Sequence, residues 1–446
     1  MGGKKKRSLH VFKPAPLKPP AGIFSADIID LSDDGRGVAR RNNKTVFIAG
    51  ALPGEQVTFQ YLSVHKQFDE GTLREITRVS PERVTPPCVY YPQCGGCDLQ
   101  HVHYAAQLRH KDARLQRQLS SLVDAKTQWL APLSAEPYGY RHRIRLAVQA
   151  RRGECVLGFR RSRSHDVVDI ERCVLADEQC NAVIPAIRRA LQQSCDRNKL
   201  REVELSLDAD GLVSIGLQLE APMSEEGAAP FWALTAMASI AALYQRVNGQ
   251  SWQRLGDSAG MASRYALPLW NVFYRYYPGD FTQVNTAVNT LVIEQVLEWL
   301  DIDAGDSVID YFCGLGNFSL PIARSGASVT GYEWDAGMVA RAEENAFLNQ
   351  LASVRFRQAD LFTQTNACCT VTDKVVLDPP RAGAYFLCQS LAQWRPQCIV
   401  YVSCNPATFA RDAAVLRESG YSVSAVRGAD MFAQTRHLEL MALLRR

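Results

Sequence analysis

The sequence predicts an α/β fold: a C-terminal Rossmann-like domain, an N-terminal OB-like β-barrel and a central α+β domain between them. Three observations carry that expectation. From Phe281 onward, helix-like and strand-like stretches alternate around a glycine-rich turn, as in a doubly wound parallel sheet. From Phe24 to about Thr77, short strand-like runs are separated by turn residues, as in a small closed barrel. At 446 residues the chain is also too long for one typical domain. The expected division is a basic arm over 1–20, a barrel over 21–80, a central domain over 81–280 and the Rossmann-like domain over 281–446.

With 47% hydrophobic and 22% charged residues, the chain has the apolar material for packed cores and is not a disordered protein. A net charge of +4 is too mild to mark a nucleic-acid binder by itself. Its distribution says more. Lys4, Lys5, Lys6, Arg7, Lys13 and Lys18 precede the first acid, and Pro14, Pro16, Pro19 and Pro20 stand where a signal peptide would need an apolar core. The arm therefore reads as a phosphate-seeking tail or a merely solvated one. No run approaches the roughly 18 apolar residues that span a bilayer, so no membrane association is expected and the chain is placed in the cytoplasm. Without a secretory signal, its 13 cysteines are expected to be reduced. Clustered ones then read as metal or cluster ligands, isolated ones as packing or chemistry.

In the barrel region, Phe24–Leu31, Thr45–Ile48, Glu55–Leu62 and Thr72–Val79 read as strands, with turn chemistry at 32–37 and at Pro53-Gly54. Barrels of this type commonly bind oligonucleotides, although a packing module has the same pattern. After a Pro-containing linker and the cysteine cluster, Ala105–Val123 has helical composition, and Arg141–Ala150 and Cys155–Arg161 alternate like strands. Arg141, Arg143 and Arg145 alternate, which predicts one basic strand face for phosphate or for solvent.

Residues 307–318, Ser-Val-Ile-Asp-Tyr-Phe-Cys-Gly-Leu-Gly-Asn-Phe, read as an apolar strand running into a glycine-rich turn that lets backbone approach a ligand. The next strand, Ser328–Glu333, ends in an acid 19 residues after Gly314, the spacing at which an acid meets a ribose. A third strand, Val354–Gln358, leads to Asp360, placed to meet an adenine amine. A fourth, from Lys374, ends at Asp378 before Pro379-Pro380, which cannot extend the ladder. Ligands bind at that carboxyl edge. Acids at the ends of successive strands, and no third glycine for a pyrophosphate, favour S-adenosylmethionine over a dinucleotide.

Residues 397–406 form another apolar strand ending at Ser403-Cys404-Asn405-Pro406. A thiol there lies in a polar loop at the cofactor edge rather than in a core, which suits a nucleophile. Near the C-terminus, Met431–Glu439 brings His437, read as a core or turn residue, and Glu439, whose partial burial in a terminal strand would raise its proton affinity toward that of a useful base. A thiol and a base beside a methyl donor suit carbon 5 of a uracil. Thiolate addition at carbon 6 makes carbon 5 nucleophilic, and a base must then remove the carbon 5 proton.

Cys88, Cys94 and Cys97 form C-x5-C-G-G-C, a specific signal for a metal or cluster, and Cys173 is the best candidate for a fourth ligand. The spacing departs from the paired knuckles of structural zinc and favours a [4Fe–4S] cluster, zinc remaining the alternative. Cys155, Cys180, Cys195, Cys313, Cys368, Cys369, Cys388 and Cys398 are read as packing.

Together, C-x5-C-G-G-C-D-L-Q-H (88–101), F-T-Q-V-N (281–285), D-Y-F-C-G-L-G-N-F (310–318), L-D-P-P-R-A-G (377–383), Y-V-S-C-N-P-A-T-F-A-R-D (401–412) and H-L-E (437–439) resemble the RNA uracil-C5 methyltransferase family over nearly the whole chain. The resemblance is strongest to the branch that has both the cluster and the N-terminal barrel, called TRAM, and that modifies a uridine in 23S ribosomal RNA. It implies that Gln283, Phe312, Asn317, Glu333, Asp360 and Asp378 line an S-adenosylmethionine pocket. It implies Cys404 as nucleophile, Glu439 as base and a [4Fe–4S] cluster on Cys88, Cys94, Cys97 and Cys173. Phe281 either stacks a base or packs. Ala433-Gln434 departs from the family, whose members usually have Pro after Met-Phe, which puts the stiffness of that loop in question. The expected protein is a monomer acting on 23S ribosomal RNA. Methylation of 16S ribosomal RNA or transfer RNA, or RNA binding without catalysis, are the alternatives. Cytosine methylation is disfavoured because no Cys stands beside the Pro-Pro pair.

Overall fold

The computed structural model describes residues 18–151, 154–255, 263–363 and 372–446. Most of the basic arm, with Lys4–Arg7 and Lys13, and Cys368 and Cys369 lie outside the described residues. The chain divides into two compact units, one of Met1–Thr85 with His101–Ala106 and one of Pro86–Gln100 with Gln107–Arg446.

In the first unit, β1 (Phe24–Leu31), β2 (Gly37–Arg41), β3 (Lys44–Ala49), β4 (Gln56–Val64) and β5 (Phe68–Arg78) close into a barrel of order β1-β2-β3-β5-β4. Alternate residues point inward and build a core of Ile28, Ala39, Val46, Ile48, Val57 and Phe59. Gly71 is a glycine because a Cβ there would lie 2.6 Å from the Phe59 ring. The buried Glu55 carboxylate accepts from Leu52 N at 2.8 Å and from Arg83 Nε and Nη2 at 2.6 and 2.9 Å, tying the turn before β4 to the chain that follows β5. The sequence reading omitted β2, a five-residue strand between turn signals.

The second unit, which takes α1 (Tyr104–Leu119) from Gln107 onward, continues with β6 (Gln128–Leu133) and then a sheet from the middle of the chain. Here β7 (Arg143–Arg151), β8 (Glu154–Arg160), β9 (Val167–Asp169), β10 (Leu200–Leu207), β11 (Val213–Leu219), β12 (Ile240–Val247) and β13 (Gln253–Leu255) pair in the order β13-β12-β11-β10-β7-β8-β9. The helices α2 (Glu178–Gln193) and α3 (Glu225–Trp232) contribute to its core. A hairpin, β14 (Ser263–Leu267) and β15 (Val272–Tyr276), leads to α4 (Thr286–Leu300).

The Rossmann-like part consists of β16 (Ser307–Tyr311), α5 (Ser319–Arg324), β17 (Ser328–Glu333), α6 (Ala336–Leu348), β18 (Val354–Gln358), β19 (Lys374–Leu377), α7 (Tyr385–Trp394), β20 (Cys398–Ser403), α8 (Pro406–Glu418), β21 (Ser422–Ala429) and β22 (Glu439–Arg445). Its sheet has the order β18-β17-β16-β19-β20-β22-β21-β6. The first five strands are parallel and β22 is antiparallel to both neighbours. Strands buried on both faces read as continuous apolar runs. Val400 and Val402 of β20 pack on one side with α4, α5 and α6, while Ile399 and Tyr401 pack on the other with α1, α7 and α8. The order reverses between β16 and β19, the point at whose carboxyl edge doubly wound sheets bind ligands. Among the described residues, no helix is long and apolar enough to cross a membrane.

Candidate active site

After β16 the backbone turns through Phe312, held at φ +65°, and through Gly314 and Gly316 at +56° and +91°. A Cβ on Gly316 would lie 3.0 Å from the Phe356 ring, so both conformation and space demand glycine there. Phe312 N and Cys313 N donate to Tyr332 O, fastening the turn to β17. Glu333, at the end of β17, accepts from the backbone N–H groups of Gly314, Trp334 and Asp335 at 3.2, 2.8 and 3.1 Å. Both oxygens are thereby fixed; Oε1 accepts twice, and Oε2 keeps acceptor capacity for a ribose hydroxyl. Asp360 follows β18 and accepts from Phe362 N at 2.9 Å, and the Phe362 ring lies 5.7 Å from that of Phe312.

Asn317 and Asn289 of α4 exchange two amide hydrogen bonds, at 2.9 and 3.0 Å. Asn289 is fully buried and also donates to the Tyr265 hydroxyl. This pair locks the glycine turn to α4. The Asn317 side chain is thus committed to scaffold as well as standing at the turn, and Asn289 has a part the sequence reading missed. Asp310, also unassigned from sequence, is fully buried. Its Oδ2 accepts from Ser319 Oγ at 2.5 Å, while Oδ1 has no hydrogen-bond partner, and burial, with Asp378 and Glu333 nearby, pushes its carboxyl up to about 7. Gln283 is half-buried, two residues ahead of the N-cap of α4, Asn285.

Cys404 leaves β20 one residue before Asn405, the N-cap of α8, whose side chain accepts from Ala407 N. The β20–β22 register pairs Ser403 with Leu440. Cys404 and Glu439 each stand next to that pair, Cys404 just past the end of β20 and Glu439 at the start of β22. Burial raises the Cys404 thiol above its ordinary range, and the carboxylates of Glu439 and Asp378 raise it further, while Arg381 opposes them. The Arg381 carbonyl is fixed by Asn405 Nδ2 at 3.1 Å. Burial also pushes Glu439 up to about 7, and burial together with Glu439 pushes Asp378 up to about 8. The site therefore gathers a thiol and a carboxyl poised near neutrality at the sheet's carboxyl edge. His437 sits in the turn before β22, its imidazole shifted down by burial and by the Arg436 and Arg381 charges.

Cys88, Cys94, Cys97 and Cys173 line one cavity of about 440 Å³. Gly95 N donates to Arg160 O, and a Cβ on Gly95 would lie 3.0 Å from that carbonyl, which accounts for one glycine between Cys94 and Cys97. Asn181 grips the Cys173 backbone, accepting its N–H at 2.8 Å and donating to its carbonyl at 3.0 Å. Burial pushes the Cys97 thiol up to about 12, and the neighbouring thiols push in the same direction. Four thiols gathered where they would repel one another as anions form a donor set that a cationic iron–sulfur group fits. Among the described residues, no group of three or more His, Cys, Asp or Glu side chains is arranged to hold a single metal ion. Arg141, Arg143, Arg145 and the exposed Phe281 line the same cavity. The face is less free than its alternation suggested. Arg143 lies 2.5 Å and Arg145 3.0 Å from the Glu204 carboxylate of β10.

A solved structure shares this architecture. The tRNA (uracil-54, C5)-methyltransferase of Pyrococcus abyssi, in complex with S-adenosyl-L-homocysteine, superimposes with a TM-score of 0.75 at 25% identity, covering 94% of this chain and all of that one. Fold and site together are those of an S-adenosylmethionine-dependent methyltransferase. Residues 103–446 match the family described as tRNA (uracil-5-)-methyltransferase, and the chain belongs to that family. It is similar along its length to proteins named 23S rRNA (uracil(1939)-C(5))-methyltransferase RlmD. That of Hahella chejuensis is 36% identical, with 96% of this chain and 98% of that protein covered. That of Neisseria lactamica is 39% identical (94% of each), and that of Pseudomonas putida 37% (99% of each).

Proposed function

We propose that this protein transfers a methyl group to carbon 5 of a uridine in 23S ribosomal RNA, with Cys404 as nucleophile and Glu439 as base. The observation that carries this is that Cys404 and Glu439 flank the Ser403–Leu440 pair of β20 and β22, near enough for the Glu439 charge to act on the Cys404 thiol. Full-length similarity to relatives named for 23S ribosomal RNA supports the substrate. Glu333 and Asp360 are suited to the ribose and adenine of S-adenosylmethionine, and Phe312, Asn317, Asp378 and Gln283 to the rest of its pocket. When bound, that molecule supplies an electrophilic methyl group on a sulfonium to the activated carbon 5.

The Cys404 thiolate adds to carbon 6, and the electron pair of the 5,6 double bond passes to carbon 5. After methylation, the Glu439 carboxylate takes the carbon 5 proton. The electrons of that C–H bond restore the double bond, and the carbon 6–sulfur pair leaves with Cys404. The Arg381 charge and the N-terminus of α8 both favour the thiolate.

The thiols of Cys88, Cys94, Cys97 and Cys173 are the ligand set for a [4Fe–4S] cluster, which would hold the segment 88–97 to Cys173. The barrel is read as an RNA-binding module, and the protein as a cytoplasmic monomer. The function is tested by incubating the protein with methyl-labelled S-adenosylmethionine and unmodified fragments of 23S ribosomal RNA, 16S ribosomal RNA and transfer RNA, then mapping the labelled base. Label at one uridine of a 23S fragment is expected. Label only in transfer RNA would move the substrate to the class named for the Pyrococcus enzyme.

A further inference from the structure

Glu439 opens β22 directly after a buried segment, Met431–Leu438, whose conformation is not one the sequence would adopt unaided. Gln434 is 1% exposed and holds φ +66°, a left-handed backbone sparsely populated by residues with a Cβ and kept only where the surroundings over-determine it. Those surroundings are specific. The Gln434 carbonyl accepts from Asp98 N at 3.1 Å and Leu99 N at 3.0 Å, and its Oε1 accepts from Gln107 Nε2 at 2.9 Å. The same Gln107 amide donates to Leu99 O at 3.0 Å. Asp98 Oδ2 accepts from Arg436 N at 3.2 Å, with Oδ1 3.7 Å from Arg436 Nη1. Tyr91 donates to Asp98 O, and Tyr140 to Ala433 O. Asp98 adjoins Cys97, and Arg436 is three residues before Glu439. A continuous strap of hydrogen bonds thus runs from the thiol-lined lobe to the segment that delivers Glu439.

The structure assigns Asp98 and Gln434, the latter held to Leu99 by Gln107, as positioning residues that set Glu439 against the reacting carbon. This rests on the reading of Glu439 as the base. With the strap intact, the left-handed turn fixes where β22 begins and so where the Glu439 carboxylate points. With it cut, the turn is free to relax, and a displacement of about 1 Å at a proton-transfer step slows that step by up to about 100-fold. Addition of Cys404 and methylation do not need the carboxylate, so the covalent methylated RNA–protein species should build up while proton removal lags.

The test compares Asp98→Ala, Asp98→Asn, Gln107→Ala and Glu439→Gln in the full chain as purified, each mixed with S-adenosylmethionine and substrate RNA. Asp98→Ala and Gln107→Ala should raise the species that survives denaturing electrophoresis about tenfold over the unsubstituted protein, with kcat and KM for RNA falling together and kcat/KM unchanged. Iron content and cofactor affinity should be unchanged, and amide hydrogen exchange at residues 433–439 should quicken about tenfold. Asp98→Asn keeps an oxygen for Arg436 N and should restore most of the rate. If exchange at 433–439 stays at the unsubstituted level, or quickens with no rise in the trapped species, the strap has no positioning role. Glu439→Gln separates the two failures. If it traps the species while the strap variants do not, only the strap is wrong. If it turns over normally, the base assignment falls and the strap with it.

Discussion

Cys404 and Glu439 illustrate how burial tunes two groups for one reaction. Both are needed in their deprotonated forms, and burial raises both, so turnover should climb as pH rises through about 7, where Glu439 titrates. Release of the covalent species should follow the Glu439 limb. Below pH 7 the protonated carboxyl cannot accept the carbon 5 proton, and the trapped fraction should increase. Single-turnover mixing across pH 6–8 measures this, and release independent of pH would count against Glu439. Asp310 carries the same physics into stability. Its folded value, about 7, lies above the ordinary carboxylate range. The folded state therefore holds a proton the unfolded chain has lost, and stability falls as pH rises from about 4 through 7. Asp310→Asn should flatten that fall, read as the difference in urea midpoint between pH 5 and pH 8.

Among the elements, α1 does more than its helical composition foretold. Lys111 and Asp430 form a 2.7 Å ion pair with both side chains almost wholly buried, tying α1 to the segment ahead of β22. Lys111→Met would leave the Asp430 carboxylate buried without that cation, at a cost of about 3–5 kcal/mol in chemical denaturation. Lys111→Met with Asp430→Leu should recover most of the loss, because a well-packed apolar pair avoids the desolvation penalty. Local patterns were legible: Ser328–Glu333 and Val354–Gln358 were read at the bounds the structure gives them, and the glycine turn and the Cys404 loop were placed at the correct sheet edge. What stayed hidden depends on pairing between distant residues. Nothing near Gln128 announces that β6 joins β21, nor near Lys111 that its partner is Asp430. That Cys404 and Glu439 end up beside the Ser403–Leu440 pair needs the β20–β22 register, and Glu204 beside the arginines of β7 needs the β10–β7 pairing.

For the molecule as a whole, the thiol lobe and the methyltransferase sheet belong to one compact unit yet draw on separate sets of side chains. Cys94→Ser should lose iron and visible absorbance and lower stability, because ligation is coupled to folding. Affinity for S-adenosylmethionine, measured by calorimetry, should stay within about twofold, since the residues assigned to it, Gln283 apart, lie on the strand ends from Phe312 to Asp378. Full retention of iron would remove Cys94 from the ligand set. The central claim, covalent catalysis by Cys404, is tested most directly with substrate RNA carrying 5-fluorouridine at the target. Fluorine cannot leave as a cation, so proton removal has no counterpart and the adduct persists. The account predicts one RNA per protein, methylated and resistant to denaturing electrophoresis, with the attachment mapped by mass spectrometry to Cys404 and absent from Cys404→Ala. Attachment at another residue, or methyl transfer by Cys404→Ala, would contradict it.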